Sequence, residues 1–266
     1  MRARIDWHGH GLVVDFSRGQ AIAIPLDPHG PQPAFFTETP AHAEPMRAGS
    51  FVGSIAEGGS CNAEVVSFIP HCHGTHTECV GHITARAERV QDTIYTEPTV
   101  ARLVSLAPSL DGDDAVNNGG PVYADDDLAT ALAECGDMPF EALVIRSVPV
   151  DEDLRSRDYG RETYPVLEPA AIRRLAGSPL RHLLIDTPSL DTAHDGGQLA
   201  NHHCWWGRSD VSAPGGIDAA RRSITEMIFA PADLADGWYW LHLELSPVLG
   251  DATASRPVLY PVDGLA

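Results

Sequence analysis

The sequence predicts an α/β protein built on a mixed sheet, and three neighbouring segments carry that expectation. Glu141 to Val148 is an apolar run of strand length. Glu168 to Leu175 reads as a helix with Pro169 at its first position, Ile172 and Leu175 as its apolar stripe, and Gly177 as its stop. Arg181 to Asp186 is a second apolar run. Strand, helix, strand at this spacing is a βαβ unit and calls for a parallel strand pair. The rest of the chain offers short strands and few helices, which makes the sheet mixed.

Gly11 to Phe16 and Gln20 to Pro25 read as short strands. Pro28 to Pro45 is rich in proline and reads as ordered loop, part of a Pro-rich N-terminal region of about fifty residues. Phe51 to Gly58 and Cys61 to Pro70 flank Gly58-Gly59 and read as paired strands. Thr99 to Leu106 is strand-like. Asp111 to Asp127 is acidic and glycine-rich, fits no EF-hand spacing, and reads as a solvated loop. Asp125 to Glu134 opens a helix, with aspartates at its N-terminus and Leu128, Ala131 and Leu132 at helical spacing. Gly237 to Leu245 alternates as a strand. The whole, residues 1–266, reads as one domain.

Composition excludes several functions. The net charge of −19 argues against nucleic acid and anionic membranes as partners. All 18 basic residues are arginine, so Schiff-base chemistry and a lysine base are excluded. No apolar run reaches transmembrane length, and Met1 to Asp6 is not a secretory leader. Five cysteines without a CxxC pair fit a reduced, cytoplasmic setting. No G-x-S-x-G elbow is present, which disfavours a serine hydrolase.

The chemistry concentrates at His71-Cys72-His73-Gly74-Thr75-His76-Thr77-Glu78-Cys79-Val80-Gly81-His82. Seven of these twelve side chains can bind a metal, against the plainer reading of a His-rich surface loop. Imidazole, thiolate and carboxylate are ligands for Zn²⁺ and related ions. In an extended segment Cys72, His76, Glu78 and His82 would share one face, with His71 and His73 on the other. The Gly74-Thr75 step can break that alternation, so Cys72, His71 and His73 all stand as the first ligand.

This stretch resembles the signature His-x-Gly-Thr-His-x-Asp-x-Pro-x-His of the cyclase-like metal hydrolases, the family of bacterial kynurenine formamidase and isatin hydrolase. Gly74, Thr75, His76 and His82 fall on it; Cys72, Glu78 and Val80 replace the first His, the Asp and the Pro. Asp186-Thr187-Pro188-Ser189-Leu190-Asp191 resembles the family's Asp-x-Pro-Ser-x-Asp segment, and Ile224-Thr225-Glu226 its Ile-x-Glu segment. The resemblance implies the swivelling β/β/α fold, an oligomer (homodimer or homotetramer), and one or two divalent metals per chain, Zn²⁺ or Mn²⁺. It also implies a loop insertion near 207–220, at Pro214-Gly215-Gly216. It implies a first site of Cys72, His76 and Glu78. It implies a second of Glu78, His202 (His203 in reserve) and Glu226, with Glu78 bridging. By the same resemblance His82 is a general acid/base. The Thr75 hydroxyl would orient a ligand or a bound water, with the turn-residue reading equally open.

The implied activity is metal-dependent hydrolysis of a C–N bond in a small amide, aryl formamide or cyclic amide, with a metal-held hydroxide attacking. Phe35, Phe36, Trp205, Trp206, Trp238 and Trp240 are enough aromatics to accept an aryl group. Two alternatives stand: a lactone or ester hydrolase with the same site, and a non-catalytic metal-binding protein.

Overall fold

The computed structural model describes the chain except residues 111–119, 135, 137, 161, 210–212, 215–216 and 266, and the side chains of 264 and 265. Its strands are β1 Arg2–Trp7, β2 His10–Asp15, β3 Gln20–Ala21, β4 His42–Pro45, β5 Arg47–Ala48, β6 Phe51–Val52, β7 Glu64–Ser67, β8 His76–Glu78, β9 Thr99–Leu106, β10 Val122–Tyr123, β11 Ala142–Ser147, β12 Val166–Leu167, β13 His182–Ile185, β14 Ser223–Glu226, β15 Gly237–Leu245 and β16 Ala252–Leu265. Ten of them join one mixed sheet in the order β1-β2-β16-β15-β9-β11-β13-β14-β8, with β3 on β16. Strand β8 also pairs back to β16, so the seven strands from β16 to β8 close into a barrel-like ring.

The predicted βαβ unit is present. Strands β11 and β13 are parallel, with Leu143 beside Leu183, and helix Pro169–Ala176 crosses between them. Helix Asp125–Ala133 makes the crossover from β9 to parallel β11, and helix Ala200–Trp205 the one from β13 to parallel β14. Side-chain alternation divides the core in two. Ala101, Leu103, Ala142, Val144, Leu184 and Leu241 pack together on one face of the ring strands. Leu143, Ile145, Leu183, Ile185 and Ile224 point the other way and pack on Leu128, Ile172, Leu175, Trp205 and Trp206 of the helical layer. Two crossover helices therefore bury a stripe each, and the third carries part of the site described below.

One expected pairing is wrong. Phe51 to Gly58 and Cys61 to Pro70 share the backbone bond Ala63 N–H to Gly53 O but no strand ladder among the described residues: β6 pairs with β5, and β7 with β4. Ser54 to Gly59 closes a tight turn of its own, with Gly58 at φ +89°, so the chain returns to the preceding segment. The stretch expected as Pro-rich loop consequently contains β4. Much of the acidic loop (111–119) and part of the proposed insertion (210–212, 215–216) lie outside the described residues.

Candidate metal centre

The ligand-rich stretch is extended only at β8, His76–Glu78; Pro70 to Gly74 turns, and Gly74 sits at φ +151°. Strand β8 lies between β14 and β16, with Glu226 beside His76, Ile224 beside Glu78, and the small residues Ala254 and Ala252 on the other side. Directly paired residues share a face, and Ile224 packs in the helical layer. His76, Glu78 and Glu226 therefore face the helices, where Ala200–Trp205 supplies His202. On the opposite face the hydroxyls of Thr77 and Thr225 bond at 2.8 Å and tie the two strands together.

Asp191 aims His202. Its carboxylate accepts the backbone N–H groups of Asn201 and His202 at the helix start. It also accepts His202 Nδ1–H at 2.5 Å. His202 Nε2 is left 3.1 Å from Glu78 Oε1 and 3.6 Å from Glu226 Oε1. His76 spends its Nδ1–H on Gly74 O, 2.9 Å away, and turns Nε2 to 3.3 Å from Glu226 Oε2. Glu226 is steadied by Leu190 N–H on Oε1. His71 places Nδ1 3.2 Å from Glu78 Oε2 and Nε2 3.0 Å from Asp251 Oδ2. His82, on the turn after β8, lies 3.8 Å from Glu78 Oε2, its ring 4.4 Å from that of His71.

The charges respond to one another. Burial opposes ionisation of Glu78, but the imidazoles of His82, His202 and His71 outweigh it and hold the carboxyl well below its usual range. Burial likewise opposes charge on His202 and His71. The carboxylates of Asp191, Glu226 and Glu78 raise His202 well above normal, and those of Asp251 and Glu78 raise His71 to about 10.

These residues fit a divalent cation. The facing atoms of His71, His76 and Glu78, and those of Glu78, His82 and His202, lie within 4.8 Å of one another in each group. His76 Nε2 and both carboxylate oxygens of Glu78 are buried with no aligned hydrogen bond. Leaving such atoms bare costs free energy. His71, His76 and His202 each direct one ring nitrogen to an oxygen acceptor and the other toward a carboxylate, the arrangement of metal-ligating histidine.

The cluster departs from the expected ligand set in several places. Cys72 lies outside it, because the turn at Pro70–Gly74 removes the strand parity that placed Cys72 beside His76; His71 enters instead. Burial pushes the Cys72 thiol up, which disfavours the thiolate a metal needs. His73 is committed elsewhere, accepting Ile69 N–H at Nδ1 and placing Nε2 2.9 Å from Thr39 O. His202 enters the cluster while His203 remains partly exposed outside it. The Thr75 hydroxyl accepts Ile24 N–H and donates to Met227 O, a structural tie next to Glu226. Asp251 was missed by sequence reasoning, since a lone Asp between Gly250 and Ala252 gives no signal. Asp191 carries no signal beyond closing the Asp186–Asp191 segment. Of the six aromatics, Phe35 and Phe36 line a cavity of about 300 Å³ with Tyr159 and Tyr164. Trp205 and Trp206 are wholly core, and Trp238 and Trp240 pack against Phe140 and Trp7.

A closed mixed ring flanked by helices, with histidines and carboxylates converging where β8 and β14 meet a crossover helix, defines the class of protein. The Cyclase family, described as "Putative cyclase", matches residues 11–192, and the chain belongs to that family. Its fold is shared with solved structures of low identity. An isatin hydrolase A from Labrenzia aggregata is 17% identical, with 92% of this chain and 94% of that one covered and a TM-score of 0.60. A predicted metal-dependent hydrolase from Bacillus stearothermophilus is 17% identical over 91% of this chain and 98% of that one, TM-score 0.58. An isatin hydrolase A from Ralstonia solanacearum is 15% identical over 91% of each chain, TM-score 0.58. A comparison with curated proteins gives no significant match.

Proposed function

We propose that this chain is a metal-dependent hydrolase that opens a C–N bond in a small amide, an aryl formamide or a cyclic amide. The observation that carries the reading is Glu78: a fully buried carboxylate, its oxygens without an aligned hydrogen bond, set between His71 on one side and His202 on the other. The donors on either side of it would serve two divalent ions, Zn²⁺ or Mn²⁺. His71, His76 and Glu78 would hold the first, and Glu78, His202 and Glu226 the second. Bound there, such ions acidify water and polarise a carbonyl.

The chain's own residues do the rest. Hydrolysis forms a C–O bond from water to the carbonyl carbon and breaks the C–N bond, and the nitrogen must leave with a proton. We assign that delivery to His82, a reading supported by its partial exposure at the rim of the cluster and by the suitability of histidine for proton transfer. Trp206, wholly buried, lies against His202 with ring centres 5.7 Å apart and excludes water from that side. The aromatic cavity supports an aryl substrate and is tied to the site: Phe35 N–H bonds Cys72 O, and Tyr164 OH bonds Asp191 O at 2.7 Å. The isatin hydrolases named above support the cyclic-amide branch.

The reading includes a homodimer or homotetramer. The two-stranded sheet of β4 and β7 leaves Val65 and Val66 exposed, as are Phe68 and Ile69 just beyond it, and a second copy of the chain is the occupant we propose for that surface.

The test is turnover of aryl formamides and cyclic amides by the zinc- or manganese-loaded protein, beside His82→Ala. The expected result is hydrolysis by wild type, a loss of roughly 10²–10⁴-fold in kcat for the variant, and equal metal content in both. A fully loaded wild type that opens no amide, or a His82→Ala variant with wild-type turnover, contradicts the proposal.

A further inference from the structure

Asp251 belongs to none of the motifs that mark the site, yet it is built into it. It stands on the turn into β16, next to the pairing of Ala252 with Glu78, and its carbonyl accepts Cys79 N–H at 2.9 Å. Gly81 permits the approach. A Cβ there would lie 2.3 Å from Glu88 O and 3.2 Å from Asp251 Cβ. From this position Asp251 Oδ2 reaches His71 Nε2 at 3.0 Å and comes within 3.6 Å of His82 Nδ1.

Three imidazoles of the cluster, His71, His76 and His202, compare directly. His76 and His202 give Nδ1–H to Gly74 O and Asp191, and turn Nε2 inward. His71 is reversed: Nε2 meets Asp251 and Nδ1 faces Glu78. An imidazole binds a metal through one nitrogen only when the other carries the proton, and the acceptor of that proton decides which nitrogen is free.

We propose that Asp251 is the positioning residue for His71: by accepting Nε2–H it leaves Nδ1 free, and so makes His71, not Cys72, the first metal ligand. The proposal rests on the metal-centre reading above. It also accounts for Cys at position 72, because the ligand has moved one residue toward the N-terminus and is held there from β16. An ordinary surface ion pair would do nothing of the kind.

The experiment is Zn²⁺ affinity of the full-length protein by competition with a chromophoric chelator, for wild type, Asp251→Ala, Asp251→Asn and Cys72→Ala. Asp251→Ala is expected to bind zinc about 10–100-fold more weakly. Asp251→Asn, which keeps an acceptor oxygen without charge, should fall between, and Cys72→Ala should match wild type. All should reach the same stoichiometry at saturation and share one metal-free melting temperature. In zinc-loaded wild type, nitrogen NMR should show His71 protonated at Nε2 and metal-bound at Nδ1. Equal affinity in Asp251→Ala, loss of one full zinc equivalent (Asp251 itself a ligand), or loss of zinc in Cys72→Ala overturns the proposal. A wild type that binds no zinc would instead remove the metal-centre reading beneath it.

Discussion

Glu78 and His182 are both buried polar residues on ring strands, and they are kept in opposite states. Glu78 is held ionised by the imidazoles around it. His182 Nδ1 meets Ser223 Oγ at 2.8 Å, and burial, aided by Arg181, lowers its pKa to about 4. The folded value lies below the unfolded one. His182 therefore contributes stability that is present above about pH 6.5 and lost as pH falls toward 4, roughly 3 kcal/mol in all. Asp186, bonded by Ser147 N–H at 2.6 Å, runs the other way. Burial raises it to about 6, so its contribution is present below its ordinary value of 3.8 and lost as pH rises through 6. The two slopes oppose each other between pH 4 and 6. Urea denaturation of metal-free His182→Asn is expected to show the difference from wild type shrinking or reversing by roughly 3 kcal/mol between pH 7 and 4. A difference that does not change with pH would show that His182 is not buried neutral. At this scale the sequence was partly legible. His76, Glu78 and His82 stand out by density, and His202 and Glu226 through the family resemblance, whereas the exchange of Cys72 for His71 turns on one local backbone turn. Asp251 reaches the site across 180 residues from His71, and no local pattern encodes such a contact.

Among the elements, the strongly patterned ones were readable. Thr99–Leu106 and Gly237–Leu245 appear with the predicted bounds, and the βαβ unit around Pro169–Ala176 has its predicted helix and parallel strands. Each alternates or runs apolar over strand length, and each is fixed by burial on at least one face. Short elements were not readable. Strand β8 has three residues and draws its identity from β14 and β16 on either side. Strand β7, expected beside Phe51 to Gly58, pairs with β4 instead, because Gly58-Gly59 marks a turn without saying which strands it joins. That pair of strands also carries an element-scale prediction. A two-stranded sheet with valines exposed on both faces is marginal by itself. Light scattering should give a dimer or tetramer, and Val65→Glu with Val66→Glu should shift it toward monomer. A monomeric wild type would contradict the proposed self-association.

Over the whole molecule, closure of the ring places the site. Pairing of β8 with β16 brings Asp251 to His71, and pairing with β14 brings Glu226 to His76. The crossover into β14 delivers His202 from the helical layer. Three stretches remote in sequence thus converge on one carboxylate. Composition could supply only the class, mixed α/β. The fold itself became readable through two motifs about 110 residues apart, because a shared site presupposes a shared way of bringing its parts together.

The most direct measurement is metal content per chain by elemental mass spectrometry, on wild type and Glu78→Gln, each reconstituted with zinc and with manganese. About two equivalents in wild type, falling well below one in the variant, is the predicted result. A wild type that holds no metal after reconstitution, or a variant that keeps the wild-type content, would contradict a centre organised around Glu78.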